Sequence, residues 1–485
     1  MVGGLAARLP GIRDGCGWVV LTLVVQGGTL GYRPYAFISM NHSSILFLSV
    51  ILPVAGHMAA SDQTGIVPTV SSDSATLSPL EVRAPASLSF GDVLARTAAL
   101  NPELLTLGLG NQAADGRVAQ AGMGPNPNLS LSVENFGGTK LARGTEVMEV
   151  TVQASQLIER GDKSSRRVAL AECERDVAAA SLVLRRSDIL AASANAFAKA
   201  LAENSRLALA GEQLKLAQET FASATRRLQA ATASPSEVAR ARASLASAQA
   251  ELGRAQSAVS LARATLAASW GGSAAEIAEI KGALLLPVVP PALARFEAAL
   301  TVSGSPRLGL VSSLVAGQRA ALDLESARGV ADVTLGAGVR RLNEGAATAF
   351  VLGASIPLTF RDDNSGNIRA ARAMVRASEQ SLRAAELEQR TALAHAHAEL
   401  LAAHAQATTL RREAVPAAEE ACASVQSAYS TGSLALMEVL DARRALIALR
   451  RDLLDAELAY ALALVRAEAL AGASFAETKA LFDRP

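Results

Sequence analysis

Strict alternation of apolar and polar positions marks four short stretches of this chain. In Asn128–Phe136, Leu129, Leu131 and Val133 alternate with Ser130, Ser132 and Glu134. In Glu146–Leu157, Met148, Val150, Val152 and Ala154 alternate with Glu149, Thr151, Gln153 and Ser155. Farther on, Val333, Leu335, Ala337 and Val339 face away from Thr334 and Arg340, and Ala347–Thr359 follows with a weaker pattern. A period of two over such lengths predicts strands half in oil and half in water. The lengths suit tilted strands that cross a bilayer. Gly137, Gly138 and Gly144 separate the first pair, and Asn343-Glu344-Gly345 the second, so each pair reads as a hairpin. Gly144, Gly161 and Gly366 fall at turns or junctions and serve backbone geometry.

Elsewhere the period is helical. The stretches of about Ser164–Ala231 and about Gly366–Tyr429 predict two helices of ~100 Å each. Each ends at a short break, Ala231–Pro235 and Ser430–Ser433, and returns as a second helix. Ala241, Leu245, Ala248, Leu252, Ala255, Val259, Ala262 and Leu266 step by four and three along the first return. Ala442, Leu446, Leu449, Leu453, Ala456, Tyr460, Ala463 and Ala467 do so along the second. This is a coiled-coil seam, and its alanines allow close approach. Asn101-Pro102 and Ser305-Pro306 each place a cap and a first-turn proline ahead of a further helix, the first running to about Ala121.

The two halves are repeats of one unit. Glu237, Val238, Ala241, Arg242 and Gly271 recur as Glu438, Val439, Ala442, Arg443 and Gly472, each 201 residues on. Ala154-Ser155 and Asp162 recur as Ala354-Ser355 and Asp362, at offset 200. The expected organisation is a signal or leader region over 1–60 and a flexible linker over 61–87. The first repeat (helix, hairpin, long helix, return helix) covers 88–270, a proline-rich connector 271–304, the second repeat 305–472 and a tail 473–485. In the leader, Trp18–Val25 and Ile45–Val54 are short apolar runs of signal-peptide length, and Met40 is a candidate start.

Composition fits this picture. Half the residues are hydrophobic but only 4% aromatic, which favours long, closely packed helices. A net charge of +1 points to no nucleic-acid partner. Cys16, Cys173 and Cys422 are an odd, scattered set, so Cys173 and Cys422 are expected to be free thiols. No phosphate-binding loop, zinc-protease motif or nucleophile elbow occurs, so no catalytic residue, cofactor or metal is assigned.

Four amphipathic strands cannot stand alone, because they leave two open edges and an apolar face in water. Lipid cannot satisfy open edges either. Strands from several copies must close one cylinder, and eight being the smallest common barrel, two, three or four subunits are the physical options.

Several segments carry a resemblance. The stretch PNPNLSLSVENFGG at 125–138 resembles the first strand of the TolC family of outer-membrane efflux proteins, in its CzcC-like heavy-metal branch. SQLIERGDKSSRR at 155–167 is similar to that family's strand-to-helix junction, with Asp162 where a second glycine is usual. GVRRLNEG at 338–345 and SIPLTFRDDNSGNIRAA at 355–371 are similar to the second hairpin and its exit, and YSTGSLALMEVLDARRAL at 429–446 to the second periplasmic tip. The implied fold is mainly α with a small β part: long antiparallel coiled-coil helices plus four transmembrane strands per chain, forming a trimeric α-barrel/β-barrel channel. The implied setting is the outer membrane of a Gram-negative bacterium, with a helical extension in the periplasm. The implied partners are two further copies, a periplasmic adaptor protein, an inner-membrane resistance-nodulation-division pump and outer-membrane lipid. The implied activity is passive conduction of exported substrate, divalent heavy-metal cations above all. Drugs or a type I secreted polypeptide are the alternative cargo, and a soluble periplasmic coiled-coil scaffold the alternative of another class.

Two groups of residues are candidates for function. Glu438 and Asp441 match the family's acids at the closed periplasmic tip, and Glu237 is the equivalent acid of the first repeat. Around an aperture they would attract cations; equally, acids are favoured in any helix's first turn. The family's paired arginine has no counterpart at Leu434. His395, His397 and His404 suggest a metal site, but His395 and His397 lie about 200° apart on a helix, and His397 and His404 about 10 Å apart. One ion needs ligands at about 2 Å, so a solvated face is expected instead.

Overall fold

The computed structural model describes residues 87–472 and 474–482. The expected leader and nearly all of the expected linker, with Cys16 and Met40, lie outside the described residues. Helix α1 (Phe90–Leu100) opens with a reciprocal cap: the Ser89 backbone N–H donates to Asp92 Oδ2 at 3.0 Å, and the Asp92 N–H to Ser89 Oγ at 3.3 Å. Sequence reasoning did not foresee this helix. Helix α2 (Pro102–Ala121) follows at once, with Asn101 Oδ1 accepting from the Glu103 and Leu104 N–H groups.

Strands β1 (Asn128–Glu134), β2 (Glu149–Ile158), β3 (Val333–Leu342) and β4 (Thr348–Ser355) form one antiparallel sheet in the order β1-β2-β3-β4. The register pairs Leu131 with Val152, Val152 with Val339, and Val339 with Phe350. Directly paired residues share a face, so an apolar stripe runs unbroken across all four strands. Leu131 and Val339 are exposed on it, and Phe350 is 89% exposed. The opposite face carries Ser130, Gln153, Gly338 and Val351 in the same rank. The outer edges of β1 and β4 have no partner strand among the described residues. Strand β4 is shorter than the expected Ala347–Thr359, because Pro357 has no N–H to add to a ladder. Strand β1 stops at Glu134, where Asn135 turns to φ 60°.

The long helix α3 (Lys163–Gln229) has 67 residues, about 100 Å at 1.5 Å per residue. Helix α4 (Pro235–Ala268) returns along it. Gly161 and Asp162 take φ values of 72° and 57° in succession where β2 meets α3. A Cβ on Gly161 would fall 2.8 Å from Val330 Cγ2, so only glycine fits there. Arg167 fixes the junction by a fork to Glu159 at 2.6 and 3.0 Å, and it also donates to the Ala121 carbonyl at 2.9 Å. In the second repeat the residue with matching backbone is Asn364 (φ 61°), the cap of the next long helix. The sequence match of Asp162 to Asp362 is therefore corrected by two positions. Asp362 instead braces the cap residue, its Oδ1 accepting the Asn364 N–H at 3.0 Å.

The connector holds a short helix, α5 (Leu293–Ala299). Helix α6 (Pro306–Arg328) leads into β3. After β4 come α7 (Ser365–Thr409), a π-helical turn at Leu410–Ala414, and α8 (Val415–Ser430). Helix α9 (Leu436–Ala471) returns, and α10 (Ala476–Phe482) docks at the end. Both seams read from the sequence are inward. Ala241, Ala248, Ala255, Val259 and Leu266 are buried in α4, and Leu446, Ala456, Tyr460, Ala463 and Ala467 in α9. Within each repeat the return helix ends where the upper helix begins: Asn101 Nδ2 donates to the Ser269 carbonyl at 2.8 Å. No helix among the described residues is long and apolar enough to cross a membrane.

The main core lies at mid-height. Phe90, Phe197 and Phe482 meet with ring centroids 5.1 to 5.4 Å apart. Leu88 joins the first repeat to the connector through a parallel bridge to Ile280. Buried Glu468 caps α10: its carboxylate accepts the Glu477 N–H at 2.9 Å, the Thr478 N–H at 3.1 Å and the Thr478 hydroxyl. Burial raises the Glu468 carboxyl above its ordinary range, against the lowering effect of those bonds. A raised folded-state value makes the folded state hold its proton more tightly than the unfolded chain. The Glu468 contribution is thus fully present below the ordinary carboxylate range and is lost as pH rises through the raised value. Glu468→Gln has one acceptor oxygen in place of two and is expected to cost about 1–3 kcal/mol. Its thermal midpoint should also fall less than that of the wild type between about pH 4 and pH 8. Thermal scans in detergent across that range check both, and parallel curves would refute the linkage.

Candidate functional site

The two return bends lie side by side at the end of the helices far from the sheet. Tyr429, Leu436 and Val439 of the second repeat bury against Ala224 and Ala241 of the first. The Arg227 guanidinium sits 4.5 Å from the Tyr429 ring centroid and donates to the Tyr429 carbonyl at 2.9 Å. This contact brings together the starts of α4 and α9, where the candidate acids reside.

Glu237 and Glu438 occupy the same place, the third residue of α4 and of α9. The helix N-terminus favours a carboxylate there. Glu237 is half-buried, its N–H donates to Ser234 Oγ at 3.3 Å, and its Oε2 is buried without a hydrogen-bond partner. Glu438 is exposed. Asp441, one turn on, is also exposed and pairs with Arg444 at 2.8 Å. An exposed pair of this kind contributes little to stability.

Sequence reasoning noted the missing arginine at Leu434 but missed the arginines that tie the helices. Arg443 of α9 donates to the Leu216 carbonyl of α3 at 2.7 Å, to Thr220, and to Gln426 of α8 at 2.8 Å. One turn pair farther up, Arg450 joins Glu212 of α3 at 2.9 Å and Glu419 of α8 at 2.7 Å. The signal was present, since Arg242 and Arg443 are repeat partners beside an alanine seam. Arg242 acts differently, lying 5.8 Å from the Phe221 ring centroid.

The histidines are corrected in part. His395 is exposed. His397 and His404 are not on a solvated face: their Nε2 atoms donate to the Pro291 and Pro287 carbonyls at 3.0 and 2.9 Å. The two lie seven residues apart, on one side of α7, and the connector runs along that side. Its prolines present carbonyls with no local N–H to bind them. Among the described residues, no three histidine, cysteine or acidic side chains converge as a metal site. Cys173 and Cys422 are free and half-buried. Burial, with the Asp176 charge next, pushes the Cys173 thiol up, which lowers its share of the reactive thiolate.

The chain has relatives of known role. Over 330 residues it is 30% identical to the cobalt-zinc-cadmium resistance protein CzcC of Cupriavidus metallidurans, covering 68% of this chain and 73% of that protein. It is 32% identical over 284 residues to the nickel and cobalt resistance protein CnrC of the same organism, covering 58% of this chain and 66% of that protein. Among solved structures, CusC superposes with a TM-score of 0.66 at 16% identity, covering 79% of this chain and 92% of that one. The outer-membrane protein VceC of Vibrio cholerae gives 0.65 at 20% identity, covering 79% and 96%. At such identities the likeness shows the fold alone, an outer-membrane channel fold of long helices under a small sheet. Residues 93–272 and 305–473, one segment in each repeat, match the family described as Outer membrane efflux protein, and the chain belongs to that family.

Proposed function

We propose that three copies of this chain close into a twelve-stranded barrel in the outer membrane, continuous with a helical tunnel in the periplasm. The duct conducts exported substrate passively, and the chain catalyses nothing. One observation carries the reading: a four-stranded sheet with one apolar face, two edges unpaired among the described residues and two ~100 Å helical hairpins attached. The bare edges need partners in lipid, and the apolar face suits acyl chains. Exposed apolar side chains also lie on the helices at the two ends of the lateral order: Leu105 and Leu109 of α2 and Leu261 of α4 at one end, Met374 and Leu387 of α7 at the other. A head-to-tail ring sets the second group of one copy against the first group of the next.

The partners are a periplasmic adaptor at the tips and a resistance-nodulation-division pump in the inner membrane. The cargo is divalent heavy-metal cations, on the strength of the two metal-resistance relatives. Export of drugs or a polypeptide is the competing cargo. A deletion strain sensitised to cobalt, nickel, zinc or cadmium supports the first; one sensitised only to organic compounds supports the second.

Glu438, Asp441 and Glu237 form the negative lining of the periplasmic aperture in this reading. Substituting Glu438→Gln and Asp441→Asn together is expected to lower the cation-to-anion permeability ratio about threefold or more. Reversal potentials of single channels in a planar bilayer under a salt gradient measure it. An unchanged ratio removes these carboxylates from the mechanism.

A further inference from the structure

The joint between return helix and upper helix is built differently in the two repeats. In the first, Asn101 closes it. Its Oδ1 accepts the Glu103 and Leu104 N–H groups of α2, and its Nδ2 donates to the Ser269 carbonyl at the end of α4. In the second, Ser305 holds the matching place ahead of α6, and Gly472 at the end of α9 packs against Gly304. A serine in that place ordinarily accepts an N–H of its own helix. The Ser305 hydroxyl makes no such bond. The residue is 1% exposed, and its Oγ is buried without a hydrogen-bond partner. Pro306 has no N–H, and the next two, of Arg307 and Leu308, donate to nothing among the described residues. A buried hydroxyl and two helix-start N–H groups left open together are costly unless a partner fills the place.

Ser305 lines a cavity of about 880 Å³ between α3, α7, the last turns of α9 and the start of α6. That volume is in the range of small-molecule sites. Asn195 of α3 lines it too, and its Oδ1 is likewise buried without a partner. Turned over, that amide gives its NH2 to the same space. The charged lining is Lys199, Arg307 and Arg466 against Asp188 and Glu399. Glu399 is paired with Arg466 at 3.2 Å. Lys199 and Arg307 have no ion-pair partner among the described residues, and Asp188 offsets one of them. The start of α6 adds the positive end of a 23-residue helix, so the balance favours an anion.

The cavity lies on one side of the helical wall. On α7, Glu399 and Gln406 line it, roughly half a turn around from His397 and His404, which face the connector. On α3, Asp188 and Asn195 line it, roughly half a turn from Phe197, which packs on α1 and α10. The connector, α1 and α10 therefore cover the other side. In the duct reading the cavity opens on the bore, since that covering layer would block it.

We propose that the α9–α6 joint is a binding site for an oxyanion, a carboxylate or phosphate group, held by the open first turn of α6, the Ser305 hydroxyl and the Arg307 and Lys199 side chains. This is the chemistry that a helix start with free N–H groups recognises. The cavity is larger than one such group needs, so the oxyanion is either free or carried on an organic body. Access from the bore rests on the duct reading; the binding does not.

Inorganic phosphate and acetate, titrated into purified full-length protein in detergent, test the site. Chloride at equal ionic strength is the control for screening. Phosphate or acetate is expected to raise the thermal midpoint saturably, beyond the chloride response. The anion that saturates at lower concentration names the group. Ser305→Ala removes a hydroxyl that has no bond to lose, so the midpoint without anion is expected to stay, while affinity falls about tenfold. Arg307→Gln is expected to lower affinity about three- to fivefold. Ser305→Asp supplies a carboxylate from the chain itself. It is expected to raise the midpoint without anion and to abolish the response. If Ser305→Asp does not assemble, Ser305→Ala and Arg307→Gln decide. The site is overturned if neither anion exceeds chloride, for then water alone fills the joint. It is also overturned if Ser305→Asp responds like the wild type, or if Ser305→Ala and Arg307→Gln both keep wild-type affinity. None of these titrations needs transport, so the site and the duct reading fail separately.

Discussion

Gly472→Ala is expected to leave little assembled protein, while the same substitution at its repeat partner, Gly271→Ala, is expected to be tolerated. Both glycines end a return helix with a left-handed backbone, φ 70° at Gly472 and 76° at Gly271. For alanine that conformation alone costs about 1–2 kcal/mol at either site. The surroundings separate them. A Cβ on Gly472 would lie 1.9 Å from the Gly304 carbonyl oxygen and 2.9 Å from its carbon. That obstacle is backbone, held one residue ahead of buried Ser305 at the start of α6. It cannot swing aside as a side chain would, and forcing α6 and α9 apart adds about 3 kcal/mol or more. A Cβ on Gly271 meets only the Pro102 ring, at 3.4 and 3.5 Å, which is close to ordinary contact. Thermal midpoints in detergent and the amount of oligomer in membrane fractions check the contrast. Equal losses at the two sites would show that backbone conformation alone governs both.

Val339→Arg is expected to abolish insertion, and Ser130→Arg to be accepted. Val339 stands mid-sheet on the apolar stripe, between Val152 and Phe350. A guanidinium at mid-depth on the lipid side of a barrel costs about 2–4 kcal/mol, at least a thirtyfold shift in folding equilibrium for each copy. Ser130 lies on the polar face, its hydroxyl donating to the Gln153 carbonyl at 3.2 Å, where water fills the space in the duct reading. Heat-modifiable oligomer recovered from outer membranes reads both variants. If the two substitutions have equal effects, the apolar face does not meet lipid.

What could be read from the residues was whatever depends on neighbours in sequence. The four strands, the cap of α2 at Asn101-Pro102 and the return breaks all announce themselves by period or by a local hydrogen-bonding residue. Helix α1 announced itself too, through Ser89 and Asp92, but it is short and follows a stretch with no period. The break in α7–α8 is silent, because Leu410–Ala414 continues a helical composition and only Pro416 disturbs it. His397 and His404 show a limit of another kind. Helical geometry places them on one side of α7, but nothing near them in sequence reveals carbonyls of Pro287 and Pro291 more than a hundred residues away. The tip is intermediate. Glu237 and Glu438 follow from first-turn chemistry, whereas the Arg443 and Arg450 ties depend on the lateral order of α3, α9 and α8.

The sheet's bare margins carry a thermodynamic consequence. In the duct reading, the backbone groups left unpaired at the sheet's edges among the described residues are satisfied by another copy, so the folding free energy is not a property of one molecule. It contains a term in the logarithm of subunit concentration. Dilution then acts on this protein as a denaturant does.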